Sequence, residues 1–125
     1  MTDKKPVALS ENERLVASIV EGMQELKAQD IVVVDLSGIE EAATQAFVIC
    51  TGTSTMHVDS VADSVREWVE EHLGVRPYNY DGYRNSEWIV IDYGSVYAHV
   101  FLPDVRERYK LEELWADGVV RHVEA

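Results

Sequence analysis

Apolar residues recur along this chain at two periods, and the switches between them mark its elements. Leu15, Ile19, Met23 and Leu26, flanked by Val16 and Val20, fall three and four apart, which places them on one stripe of a helix. Ser10 followed three residues later by Glu13 has the form of a capping box, so the helix begins there. Ile31 to Leu36 is β-branched and mostly apolar and reads as a first strand, ended by the Ser37-Gly38 turn. Residues 39–46 fit neither period and read as a loop.

Phe47 to Thr51 is an unbroken run of apolar or small residues, which a half-exposed strand would not show. It is read as a central strand covered on both faces. Gly52 and the hydroxyls of Thr53, Ser54 and Thr55 suit a tight turn into a helix, with Thr53 or Ser54 as its cap. The helical stripe Val58, Val61, Ala62, Val65, Val69 and Leu73 follows, and Gly74 stops it.

Arg76 to Tyr80 is a short candidate strand before the Asp81-Gly82 turn. Trp88–Tyr93 and Val96–Leu102 then form a hairpin around Gly94-Ser95, whose leading glycine suits a two-residue type II′ turn. That turn fixes the register: Ile91 faces Ala98 and Ile89 faces Val100 on one side of the sheet. The other side pairs Trp88 with Phe101, Val90 with His99 and Asp92 with Tyr97. Such a mixed aromatic and polar face is either the underside of another helix or a surface for a partner.

Pro103-Asp104 opens a last helix, Val105 to about Trp115, closed by Gly118. The residues after 118 read as a short strand or as irregular chain. The predicted organisation is an arm over residues 1–9, one domain over 10–117, and a tail over 118–125. The fold class is α/β, a mixed β-sheet with helices packed on it, since a hairpin is antiparallel while a strand-helix-strand crossover is parallel.

A chain of 125 residues can bury roughly two thirds of its unfolded surface and needs no metal or disulfide staple. No apolar run approaches a membrane span of ~18 residues, and no export or import signal is evident, so a bacterial-type cytoplasm is expected. The single cysteine, Cys50, reads as a small buried hydrophobe in mid-strand. With 11 basic against 23 acidic residues the formal charge is -12, and nucleic acid is not expected as a direct ligand.

The Thr51–Thr55 turn is where phosphate would sit, but it lacks a P-loop lysine and the spaced glycines of a dinucleotide site. Metal-dependent nucleotidyl transfer needs paired carboxylates, and no strand carries an Asp-x-Asp or Asp-x-Glu pair. Asp35 and Asp92 both end strands and could converge in space, but each reads equally well as a turn or edge residue. The four histidines show no zinc-ligand spacing, and no metal or other cofactor is expected.

Four ordered motifs carry a resemblance. Phe-Val-Ile-Cys-Thr-Gly-Thr-Ser (47–54) with His57-Val58, Trp88-Ile-Val-Ile-Asp-Tyr-Gly (88–94), His99-Val100-Phe101, and Arg106 to Trp115 with Tyr109, Leu111-Glu112 and Leu114-Trp115 resemble the ribosomal silencing factor family, also called Iojap-related. The resemblance spans about residues 10–117. Gln45-Ala46 and the Gly94-Ser95 turn depart from the family pattern, at loops only.

This resemblance implies a non-enzymatic protein of nucleotidyltransferase-like fold. It implies binding to the large ribosomal subunit through ribosomal protein L fourteen, which blocks small-subunit joining and lowers translation when nutrients are short. Applied to the hairpin, it points to Trp88, Asp92 and His99, with Arg106 and Tyr109, as the partner-binding residues; Trp115 is read as core. An unpaired edge strand leaves a homodimer open. The competing readings are a nucleotidyltransferase using Thr53, Ser54, Asp35 and Asp92, and an acidic adaptor that binds basic proteins loosely.

Overall fold

The computed structural model describes residues 10–124, so the arm expected over 1–9 lies outside the described residues. Ten elements follow in chain order: α1 (Glu11–Glu25), β1 (Gln29–Asp35), β2 (Ala46–Thr51), α2 (Thr55–Leu73), β3 (Asn79–Asp81), β4 (Trp88–Asp92), β5 (Val96–Phe101), α3 (Pro103–Tyr109), α4 (Leu111–Leu114) and β6 (Val119–His122). The strands make one sheet in the order β3-β4-β5-β2-β1-β6. β2 runs parallel to β5 and every other pairing is antiparallel.

Helix starts follow their caps. The Ser10 hydroxyl accepts from Glu13 N–H at 3.1 Å while the Glu13 carboxylate accepts from Ser10 N–H at 2.9 Å. On α2 the cap is Ser54, which accepts from His57 N–H at 3.1 Å. The two helices cross closely: a Cβ added at Gly22 would stand 2.8 Å from the Val65 Cα. Ser64 Oγ donates to Gly22 O at the same place, at 2.7 Å.

Beneath them lies the larger core. Leu15, Ile19 and Met23 of α1 and Val58, Val61, Val65 and Val69 of α2 meet Val48, Cys50, Ile89, Ile91, Ala98 and Val100 of the sheet. Every residue of β2 is buried, as a strand covered on both faces must be. The hairpin pairs in the register that its turn dictates, Trp88 with Phe101, Val90 with His99 and Asp92 with Tyr97. Gly94 holds φ +84°, and Tyr93 N–H closes the turn on Val96 O at 2.9 Å.

The opposite face carries a smaller core, in which Val105 and Leu111 cover Val32, Val34, Ile49 and Phe101. The domain thus has three layers, the third covering only part of the sheet. Two differences from the pattern reading stand out. The strand expected at 76–80 is Asn79–Asp81, because its ladder to β4 begins only where Asn79 meets Asp92. The single helix expected from Val105 to Trp115 is two, broken at Lys110, whose φ of +47° no α-helix accommodates. Of the two readings for the tail, the strand is observed: Val119–His122 pairs with β1 and forms the sheet's other edge. Among the described residues, no helix is long and apolar enough to cross a membrane.

Candidate functional site

The half-covered sheet face holds four of the five residues singled out from the sequence, and it sorts all five into three places. Trp88, His99 and Tyr109 come together. The Trp88 ring stacks on Phe101 with centroids 4.8 Å apart and meets Tyr109 at 4.8 Å, while its Nε1–H donates to His99 Nδ1 at 3.1 Å. Tyr109 is half exposed, at 50%. Phe47 packs edge-on against His99 at 4.8 Å and against Trp115 at 6.1 Å. A continuous run of rings therefore crosses the sheet from α3 to the end of α4.

Asp92 stands apart from that run. It ends β4 four residues beyond Trp88, about 13 Å along the strand. Its carboxylate accepts from Gly94 N–H at 2.7 Å, so it shapes the hairpin turn. The neighbouring Tyr97 phenol is pushed up from its usual pKa, by burial first and then by the Asp92 carboxylate.

Arg106 points to the far side of α3. Its guanidinium grips Glu112 with Nε at 2.9 Å and Nη2 at 2.6 Å, and donates from Nη1 to Asp30 O at 2.7 Å and Thr51 Oγ1 at 2.8 Å. Its donors are thus engaged within the chain. The side chain is 12% exposed and ties α3, α4, β1 and β2 together. The break at Lys110 lets Glu112 return to Arg106, which the sequence, read as one helix, did not reveal.

His99 is the chemically unusual member. It is 5% exposed, and burial pushes its pKa down to about 4, so the ring is neutral near pH 7. An indole can only donate, so Nδ1 accepts and the ring proton sits on Nε2. Nε2 finds no hydrogen-bond partner. A buried donor left unpaired costs about 1–3 kcal/mol.

Phe47, Tyr97 and Trp115 belong to this face but were not singled out as contact residues. Strand parity carried the missing signal: the parallel register aligns Phe47 with Tyr97 and Ile49 with His99, which puts both rows on one face. Trp115, read as core, is half buried at the margin of the smaller core.

The pieces of a transferase site do not assemble. Asp35 and Asp92 lie on strands separated by β2 and β5, about 14 Å apart at three strand spacings. The Asp35 carboxylate accepts from Ser37 N–H at 2.9 Å and Ser37 Oγ at 2.7 Å, and these bonds lower its pKa. At the turn before α2, Gly52 N–H bonds Phe101 O at 2.8 Å and Thr53 N–H bonds His57 Nδ1 at 2.9 Å. The other ring nitrogen of His57 then donates to Leu26 O at 2.7 Å, locking the turn to the end of α1. These donors are spent on the chain itself.

An α/β domain with a mixed sheet, one face packed by α1 and α2 and the other covered in part by α3 and α4, is the architecture at hand. The family model for "Ribosomal silencing factor during starvation", RsfS, matches residues 9–125, and the chain belongs to that family. The match includes the tail strand β6. The chain is 36% identical over 102 residues to the ribosomal silencing factor RsfS of Haemophilus influenzae, covering 82% of this chain and 98% of that one. It is 35% identical over 100 residues to the mouse protein named mitochondrial assembly of ribosomal large subunit protein 1, covering 78% of this chain and 43% of that one. A crystal structure of a Chromobacterium violaceum protein superposes with a TM-score of 0.80 at 32% identity, covering 86% of this chain and 88% of that one.

Proposed function

We propose that this protein silences ribosomes by occupying space. It binds the large ribosomal subunit through ribosomal protein L fourteen, in the cytoplasm, and stands where the small subunit would dock. Translation falls when nutrients are short, and no substrate is transformed. Family membership supports the silencing role, and the mouse relative's name ties that protein to the large subunit. The observation that carries the contact surface is the Trp88–His99–Tyr109 cluster, in which half-buried Trp88 and half-exposed Tyr109 flank the buried His99 ring. Central aromatic anchors contribute most to interfaces of this kind. Asp92, at the end of the same face, supplies a negative charge toward a basic partner.

The test is sedimentation of purified large subunits with the protein, followed by addition of small subunits. Co-sedimentation with loss of the joined particle is the expected result. Unchanged joining at saturating protein overturns the proposal.

A further inference from the structure

The break between α3 and α4 sets a local preference against a tertiary contact. The pattern of residues 105–115 is that of one helix, with Pro103 at its start, Gly118 beyond its end, and neither glycine nor proline where the break falls. The chain nevertheless turns at Lys110 with φ +47° and ψ +55°. That left-handed conformation is disfavoured for a residue with a Cβ, and at such a place glycine usually takes it. Backbone held in this way against its own preference belongs to switch elements more often than to inert ones.

One polar contact depends on the bend. Arg106 and Glu112 are six residues apart, which in a continuous helix places them about 9 Å apart along the axis and on different faces. With the chain bent, the Glu112 carboxylate accepts from Arg106 Nε at 2.9 Å and from Nη2 at 2.6 Å. The Lys110 ammonium, by contrast, lies 3.4 Å from Glu107 and 3.7 Å from Glu113, at spacings of three residues that either form permits. Arg106 is seated independently by Asp30 O and Thr51 Oγ1. Its guanidinium is therefore the fixed half of a latch and Glu112 the movable half.

The movable half has room to leave. It borders a cleft of about 470 Å³ whose lining includes Glu107, Lys110 and Glu113, and the Glu112 side chain is 25% exposed. Little else holds α4 to the sheet. It is four residues long, Leu111 is its one buried residue, and the half-buried Trp115 that follows meets the Phe47 ring at 6.1 Å.

We infer that residues 103–115 form a two-state lid. In one state the chain is bent and latched, with Leu111 over the smaller core. In the other it is drawn into one helix, with Glu112 released and with Leu111 and Trp115 lifted from the sheet. The Arg106–Glu112 contact favours the first state, and the left-handed turn at Lys110 favours the second. Opening uncovers part of an apolar strip formed by Val32, Val34 and Ile49. The lid belongs to the fold and operates whether or not the proposed function holds.

Fluorine NMR of the full chain carrying fluorotryptophan tests this, because Trp68, Trp88 and Trp115 are its three tryptophans. Lys110→Gly and Lys110→Val both remove the ammonium and differ in their tolerance of the turn, since a β-branched residue resists it and glycine does not. Glu112→Gln weakens the latch. The Trp115 signal is expected to show a minor second state, reduced by roughly tenfold in Lys110→Gly and raised by a similar factor in Lys110→Val and Glu112→Gln. Trp68, on α2 across the sheet, should keep a single signal throughout. The far-UV helical signal should grow along with the minor state in Lys110→Val. A single Trp115 state in the parent, Lys110→Val and Glu112→Gln alike overturns the lid, and so does an equal response to glycine and valine at residue 110. Matching changes at Trp68 show general loosening and overturn it too. A fall in helical signal shows an unravelled α4 in place of a straightened helix and overturns the second state.

Discussion

The Trp88 indole donates its N–H to Nδ1 of His99, 3.1 Å away on the neighbouring strand of the hairpin. One bond settles three properties of the face: the tautomer of the histidine, the orientation of the indole, and the direction in which the remaining imidazole proton is available. It also links stability to pH.

Burial pushes the His99 pKa down to about 4 from its ordinary value of 6.5. The unfolded chain therefore takes up a proton between these values that the folded protein refuses. The contribution is fully present above pH 6.5 and is lost as pH falls toward 4, about 3 kcal/mol in all at 1.36 kcal/mol per unit. Urea denaturation from pH 7.5 to 4.5 should show this loss. His99→Gln keeps an acceptor for Trp88 without titrating, and should show a shallower decline over the same window.

Tyr109 separates binding from folding better than Trp88 does. Trp88 stacks on buried Phe101, so Trp88→Ala should cost roughly 2–3 kcal/mol of stability and confound any binding measurement. Tyr109 is 50% exposed, and Tyr109→Ala should leave the melting curve within a few degrees while weakening large-subunit binding about tenfold. Sedimentation at several protein concentrations checks this.

Arg106 holds the smaller core in place and does not extend the ring cluster. Arg106→Met leaves Glu112 half-desolvated and strips Thr51 and Asp30 O of their donor. A loss of roughly 2–3 kcal/mol is expected in chemical denaturation. Arg106→Lys should recover little, because a single ammonium cannot reproduce the forked grip on Glu112.

Cys50 is fully buried in β2, and desolvation raises its thiol pKa to about 12. It should resist iodoacetamide at pH 8 in the native protein and react promptly in denaturant. Mass spectrometry of the alkylated chain reads the outcome.

The hairpin register was legible because a two-residue turn leaves no freedom in pairing, and alternation then assigns every side chain to a face. What covers a face is a different question. Alternation says that Trp88 and His99 share a side, but only the path of α3 and α4 decides that Phe101 is roofed while Tyr109 stays half exposed. That path turns at Lys110, which carries no glycine or proline to announce it. Arg106 was misdirected for the same reason: in a straight helix its guanidinium could face the rings, whereas the observed turn presents Glu112 to it. The tail strand was ambiguous because four residues, Val119 to His122, are too few for either period to assert itself.

The bend at Lys110 therefore behaves as a corner post. Drawn out straight, residues 103–115 would form a rod of about 20 Å at 1.5 Å per residue, lying along a single line over the sheet. Folded at that post, the same thirteen residues divide their duties, one arm anchored by ions and the other ending in a tryptophan braced against Phe47. Val105 from one arm and Leu111 from the other then close over the same small core, a division of cover set by a single left-handed residue.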